Sequence, residues 1–165
     1  MTIKNLVLLL STVSTALIGG LFYAYSCSVL PGLTRLADLS FLQAMQSINR
    51  AILNPLFFIS FMGTLLLLPV CTWLFYEKNP SLVFYLLLIA TLLYAGGVFL
   101  ITMVGNVPLN NLLDGASLEK MDAKELSALR SKFEPAWNLY HSIRTIISCA
   151  CIVILAYAAL MSRTP

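Results

Sequence analysis

At 165 residues the chain has the length of a single domain, yet 59% of its residues are hydrophobic and only 10% are charged. A soluble domain carries roughly 25% charged residues, so this chain cannot cover its surface with polar groups in water. The net charge of +3 is spread too thinly for a phosphate-binding stripe, which excludes nucleic acid as a partner along with a cytosolic enzyme.

The expected fold is therefore all-α: an integral membrane antiparallel four-helix bundle, one membrane domain over residues 1–165. Its spans are expected near residues 6–30, 56–76, 82–105 and 140–161, each apolar and long enough to cross a bilayer. In the first span Lys4 precedes a leucine-rich core, as in a signal peptide. The apolar run continues through Leu21-Phe22-Tyr23-Ala24-Tyr25 with no small-x-small cleavage pattern, so it is expected to stay as a membrane helix. Between Pro31 and Pro55, Phe41, Met45, Ile48 and Ile52 recur at helical spacing beside Gln43, Gln46 and Arg50. That pattern predicts an amphipathic helix before span two, capped by Ser40.

Pro69 predicts a kink in span two, and Glu77-Lys78-Asn79-Pro80-Ser81 is a tight turn that makes spans two and three antiparallel. Gly105-Asn106-Val107-Pro108 is expected to interrupt the third helix, with a polar loop-helix following before span four. Asp122 and Glu125 form a capping-box pattern for a helix that begins near Lys124 and runs into span four. Gly19, Gly20, Gly63, Gly96 and Gly97 are read as sites of close helix approach. Cys27, Cys71, Cys149 and Cys151 are read as small packing residues. The pair Cys149 and Cys151 would sit about 200° apart on a helix, too far round to share a metal.

An even number of spans puts both termini on one side. The long connections carry Arg35, Arg50, Lys120, Lys124, Arg130, Lys132 and Arg144, which points them to the cytoplasm, with the plasma (inner) membrane of a bacterium as the expected setting.

Polar side chains gather at the end of the bundle where those connections lie. Span one arrives there with Tyr23, Tyr25, Ser26 and Ser28, and span two leaves it from Asn49, Arg50 and Asn54. Span three arrives with Thr102, Asn106 and Asn110, and span four leaves with Glu134, Trp137, Asn138, His141 and Arg144. On span four, Glu134, Trp137 or Asn138, His141, Arg144 and Ser148 recur at intervals of three and four, one stripe of a helix. The stripe holds the only histidine of the chain and an arginine at the edge of the apolar run, where an ionisable group normally faces the bundle interior.

The segments Gly20-Leu21-Phe22-Tyr23-Ala24, Asn49-Arg50-Ala51-Ile52-Leu53-Asn54-Pro55, Gly105-Asn106-Val107-Pro108-Leu109-Asn110 and Trp137-Asn138-Leu139-Tyr140-His141-Ser142-Ile143-Arg144-Thr145 together resemble the anthrone oxygenase-like family of small membrane proteins. The family takes its name from members that oxidise an anthrone to an anthraquinone, so the resemblance implies an enzyme that oxidises a small aromatic or phenolic substrate with dioxygen.

Such chemistry needs a base, donors for a developing oxyanion and an apolar slot. His141 is the candidate base, and Arg144, Asn106 and Asn110 are the candidate oxyanion donors. Asn49, Asn54, Trp137, Asn138, Tyr23, Phe22 and Glu134 are candidates for holding the substrate. The expected partners are a small lipophilic or aromatic molecule and the lipid bilayer, with a homo-oligomer left open. No metal site and no cofactor are expected, haem held through His141 being the minority option. A non-catalytic membrane protein binding a small ligand or partner subunit through the same pocket is the competing reading.

Overall fold

A computed structural model describes residues 2–162 and consists of helices, with no strand among the described residues. Among the described residues there are five long helices: α1 (Ile3–Leu33), α2 (Asp38–Ala51), α3 (Pro55–Leu74), α4 (Leu82–Asp114) and α5 (Ala123–Met161). All but α2 are long and apolar enough to cross a membrane. Around the bundle, α1 packs between α3 and α5, and α4 closes the ring by packing on the same two helices.

The helix boundaries follow local chemistry. Asn54 caps α3, its side chain accepting the Phe57 N–H, with Pro55 in the first turn where a missing N–H costs nothing. Ser81 caps α4 at the end of the predicted tight turn. Asp122 and Glu125 form the predicted capping box at the start of α5, with bonds of 2.8 and 2.9 Å. Ser40, in contrast, is not the cap of α2. That helix begins two residues earlier at Asp38, behind Ala37, and the acidic first turn faces the helix dipole instead.

The expected break at Gly105-Asn106-Val107-Pro108 is absent; α4 runs on to Asp114, and α1 likewise runs through Pro31. In both helices the chain widens to π-helical turns just before the proline. The Leu30 N–H bonds the Tyr25 carbonyl ahead of Pro31, and the Val107 N–H bonds the Thr102 carbonyl ahead of Pro108. A proline ring crowds the carbonyl four residues back and offers no N–H. A wider turn carries the helix past that obstacle without ending it. A further widened stretch covers Tyr94–Leu100.

Two apolar cores result. The first fills the bundle and includes Leu8, Ile18, Phe22, Phe61, Leu68, Leu87, Tyr94 and Leu155. The second lies beyond its polar end, where Phe41, Leu42 and Met45 of α2 meet Leu113, Leu118, Leu126, Phe133 and Trp137. At 39 residues α5 is about 58 Å long, nearly twice a hydrocarbon core, so it serves both.

Of the five glycines read as contact points, Gly19 and Gly97 fit: an added Cβ would collide with Ile152 and Ile147 of α5. Gly63 meets only ordinary contact with Ser14, and Gly20 and Gly96 face open space, so their role is not close approach. The tightest ring contact belongs to Gly105, where a Cβ would sit 2.6 Å from the Tyr140 ring.

Candidate functional site

The site lies where the two cores meet, and its centre is on α5. Trp137, His141 and Arg144 share one helix face, so their spacing brings the three side chains together on α1 and α4. The His141 ring stacks on Trp137 with centroids 5.0 Å apart and planes 16° from parallel. Phe22 and Tyr25 of α1 meet its edges at 5.8 and 5.3 Å. The Arg144 guanidinium lies 4.4 Å from the Phe22 ring centre and 5.3 Å from that of Trp137. His141 is 1% exposed and Arg144 8%.

The widened turns supply the polar partners. Ser26 Oγ, in the α1 turn, is 2.9 Å from His141 Nε2, and Thr145 Oγ1 is 3.5 Å from the same nitrogen. Thr102 Oγ1, in the α4 turn, accepts from Arg144 Nη1 at 3.4 Å. Arg144 Nη2 lies 3.2 Å from His141 Nδ1. A guanidinium only donates, so Nδ1 must be the acceptor and the imidazole proton sits on Nε2, donating to Ser26. His141 is thus held as one neutral tautomer by a neighbour on each side.

Two features of this centre are unbalanced. Among the described residues, the ion pairs are Arg50–Asp114, Arg130–Asp38 and Arg130–Glu134, so no carboxylate faces the buried Arg144. Arg144 Nε and Asn106 Oδ1 are both buried without a hydrogen-bond partner, while Asn106 Nδ2 donates to the Trp137 carbonyl at 3.3 Å. Asn106 is 1% exposed. Buried polar groups are rarely left unpaired without a reason.

The other candidates divide. Asn110 accepts from Trp137 Nε1 at 2.8 Å and, with Asn49, Arg50, Leu53, Val107, Asn111 and Asp114, lines a cleft of about 130 Å³ between α2 and α4. Asn49 Nδ2 is buried there without a partner. Asn54 is occupied by backbone, capping α3 and donating to the Ala51 carbonyl at 2.9 Å. Glu134, two turns from His141, bonds Arg130 at 2.7 Å. Asn138 is half-buried and makes none of the centre's hydrogen bonds, and Tyr23 points away from the bundle at 61% exposure. Ser26, Thr102 and Tyr25, read only as part of the polar end, are contacts of the centre itself. Thr145 enters the sequence reading only as the last residue of the Trp137–Thr145 segment, with no role, although it follows His141 by four on the same face.

The cleft and the centre are distinct spaces: Trp137, held by Asn110 at the cleft wall, covers the His141–Arg144 pair with its ring. The cleft does not hold three fused rings as it stands, since ligand pockets of that size run from ~300 Å³, and the centre is filled by its own side chains. Among the described residues no group of three His, Cys, Asp or Glu side chains is placed to hold a metal.

Comparison with known proteins places these residues in a family. The family model described as "Anthrone oxygenase" matches residues 56–154, which takes in Asn106, Asn110, Trp137, His141 and Arg144 but not the α1 and α2 contributions. Neither a curated protein nor a solved structure matches the chain. With more than half of its length matched, including the α4 and α5 residues of the buried centre, the chain belongs to the anthrone oxygenase family.

Proposed function

We propose that this membrane protein oxidises a small aromatic or phenolic substrate with dioxygen at the His141–Arg144 centre. The single observation that carries the reading is the buried guanidinium in hydrogen-bond contact with a neutral imidazole, at the meeting point of two widened turns. π-helical turns of this kind are frequent at functional sites.

The chemistry runs on the chain's own groups. An anthrone carries a methylene flanked by two aromatic rings, conjugated to a carbonyl. When the carbonyl oxygen accepts Arg144 Nη2, that donor leaves His141 Nδ1, whose lone pair is then available to take a methylene proton. Oxygen capture and proton abstraction are thus coupled. The enolate oxygen rests on Arg144, where the charge is stabilised in a water-poor setting. One electron passes from the enolate to dioxygen, and the resulting radicals join as a hydroperoxide that takes its proton back from His141. Loss of water from the hydroperoxide leaves the second ketone, so one anthrone and one dioxygen give one anthraquinone and one water. Phe22 and Trp137 flank the site, and the substrate needs Trp137 to swing off its Asn110 bond to enter.

The close packing of the centre also favours a second reading, in which the same residues bind a ligand or partner subunit without turnover. Oxygen uptake separates the two. Purified protein in detergent should consume one dioxygen per anthrone above the uncatalysed rate. His141→Gln should lower turnover at least ~100-fold, the usual contribution of a general base. Folded protein that leaves the background rate unchanged contradicts the oxidase reading.

A further inference from the structure

Arg144 is a cation nine-tenths buried with no anion beside it among the described residues. Its visible partners are a threonine hydroxyl, an imidazole nitrogen and two aromatic faces, all neutral. Taking a charge out of water is costly unless a counter-charge or a full set of hydrogen bonds replaces the solvent. Here the Nε–H has neither. Close by, Asn106 presents the opposite deficiency, a carbonyl oxygen with no donor, and its Nδ2 is tied to the same Trp137 whose ring lies against Arg144. Thr102, which meets Arg144, and Asn106 are four residues apart on α4, so one open donor and one open acceptor lie about a helical turn apart, and the donor carries the charge.

We propose that the resident ligand is a monoanion on an aromatic body, with an ionised oxygen paired to Arg144 and a hydroxyl donating to Asn106 Oδ1. This deepens the reading of the site above, since it uses the same centre, but it does not depend on turnover. The ligand is held in its charged form, as a carboxylate or an aryl oxide; for an anthrone that form is the enolate left once His141 has taken the methylene proton. The aromatic walls supply the affinity for the ring: Phe22 and Trp137 lie against the charge on the α1 and α5 sides, and Tyr25 packs on Trp137 and His141 beside them. Asn106 then discriminates among anions by asking for a hydroxyl, because a ligand without one leaves its oxygen unpaired.

The test is ligand binding to the full chain in detergent, by calorimetry, with benzoate, benzamide, 3-hydroxybenzoate and 3-hydroxybenzamide as probes. The meta position keeps the hydroxyl from bonding its own carboxylate. Benzoate should bind at least ~10-fold tighter than benzamide, the ratio expected when a charge-assisted hydrogen bond is lost. 3-Hydroxybenzoate should bind tighter again, and Asn106→Leu should erase that second gain while keeping the first. Arg144→Lys should keep the preference for anions and Arg144→Gln should remove it. Equal binding of benzoate and benzamide to the wild-type protein, or no binding of either, overturns the proposal without any variant having to fold. Selective anion binding with no oxygen uptake on anthrone would uphold it while contradicting the oxidase reading.

Discussion

His141 and Arg144 were legible because both sit on one helix, where a spacing of three defines a shared face whatever the rest of the chain does. Their partners were not legible in the same way. Asn54, Glu134 and Tyr23 have the chemistry of site residues, but a backbone N–H, Arg130 and the outer surface claim them. Such outcomes depend on which neighbour arrives from another helix, and spacing along one segment carries no record of it. Glycine shows the same limit: Gly19 and Gly20 are adjacent, yet only Gly19 faces α5. The consequence can be measured by thermal unfolding in detergent. Gly105→Ala should destabilise the protein by about 1–3 kcal/mol, because the Tyr140 ring stands where the methyl would go. Gly20→Ala, facing open space in a regular helix, should be neutral or stabilising by up to ~1 kcal/mol. Equal losses at the two positions would contradict the packing described.

At the scale of helices, the spans, the tight turn and the capping box could be read from apolar runs and cap chemistry, because those signals are local. The two prolines misled for a physical reason. Span one is expected to close near residue 30, ahead of Pro31, and Gly105-Asn106-Val107-Pro108 to interrupt span three, whereas the chain passes both prolines by widening the turn before each one. A widened turn adds a residue to its loop and rotates what precedes it by roughly 100°. This is how Ser26 and Thr102 come to face α5. Pro108→Ala restores an N–H and removes the crowding, so the turn should relax to ordinary α-helix and swing Thr102 and Asn106 away from Arg144. The variant should keep its helical content by far-ultraviolet circular dichroism, lose its distinctive near-ultraviolet tryptophan signal and lose anion binding. Unchanged binding would show that the widened turn does not position the site.

Over the whole molecule, a membrane bundle and a smaller core outside it share α5, and the functional centre lies between them. Arg130 ties the outer core down. It donates to the Thr34 and Leu36 carbonyls, pairs with Asp38 and Glu134, and lies 4.3 Å from the centre of the Phe41 ring. Arg130→Ala should cost roughly 2–3 kcal/mol, as charged hydrogen bonds do. Hydrogen exchange should show the loss in α2 first while the spans keep their protection. The four-helix plan followed from composition, but the second core did not, since nothing in the amphipathic pattern of α2 says which helix it will cover.

The account turns on how the one histidine of the chain is held, and that histidine gives a single nitrogen signal pair to observe. Nitrogen-15 NMR of histidine-labelled protein in nanodiscs, carrying a histidine-free affinity tag, reads the tautomer directly. Arg144 donating to Nδ1 predicts a neutral ring protonated on Nε2 alone. A proton on Nδ1, or a ring that exchanges freely between both forms, would mean that His141 and Arg144 do not meet as described.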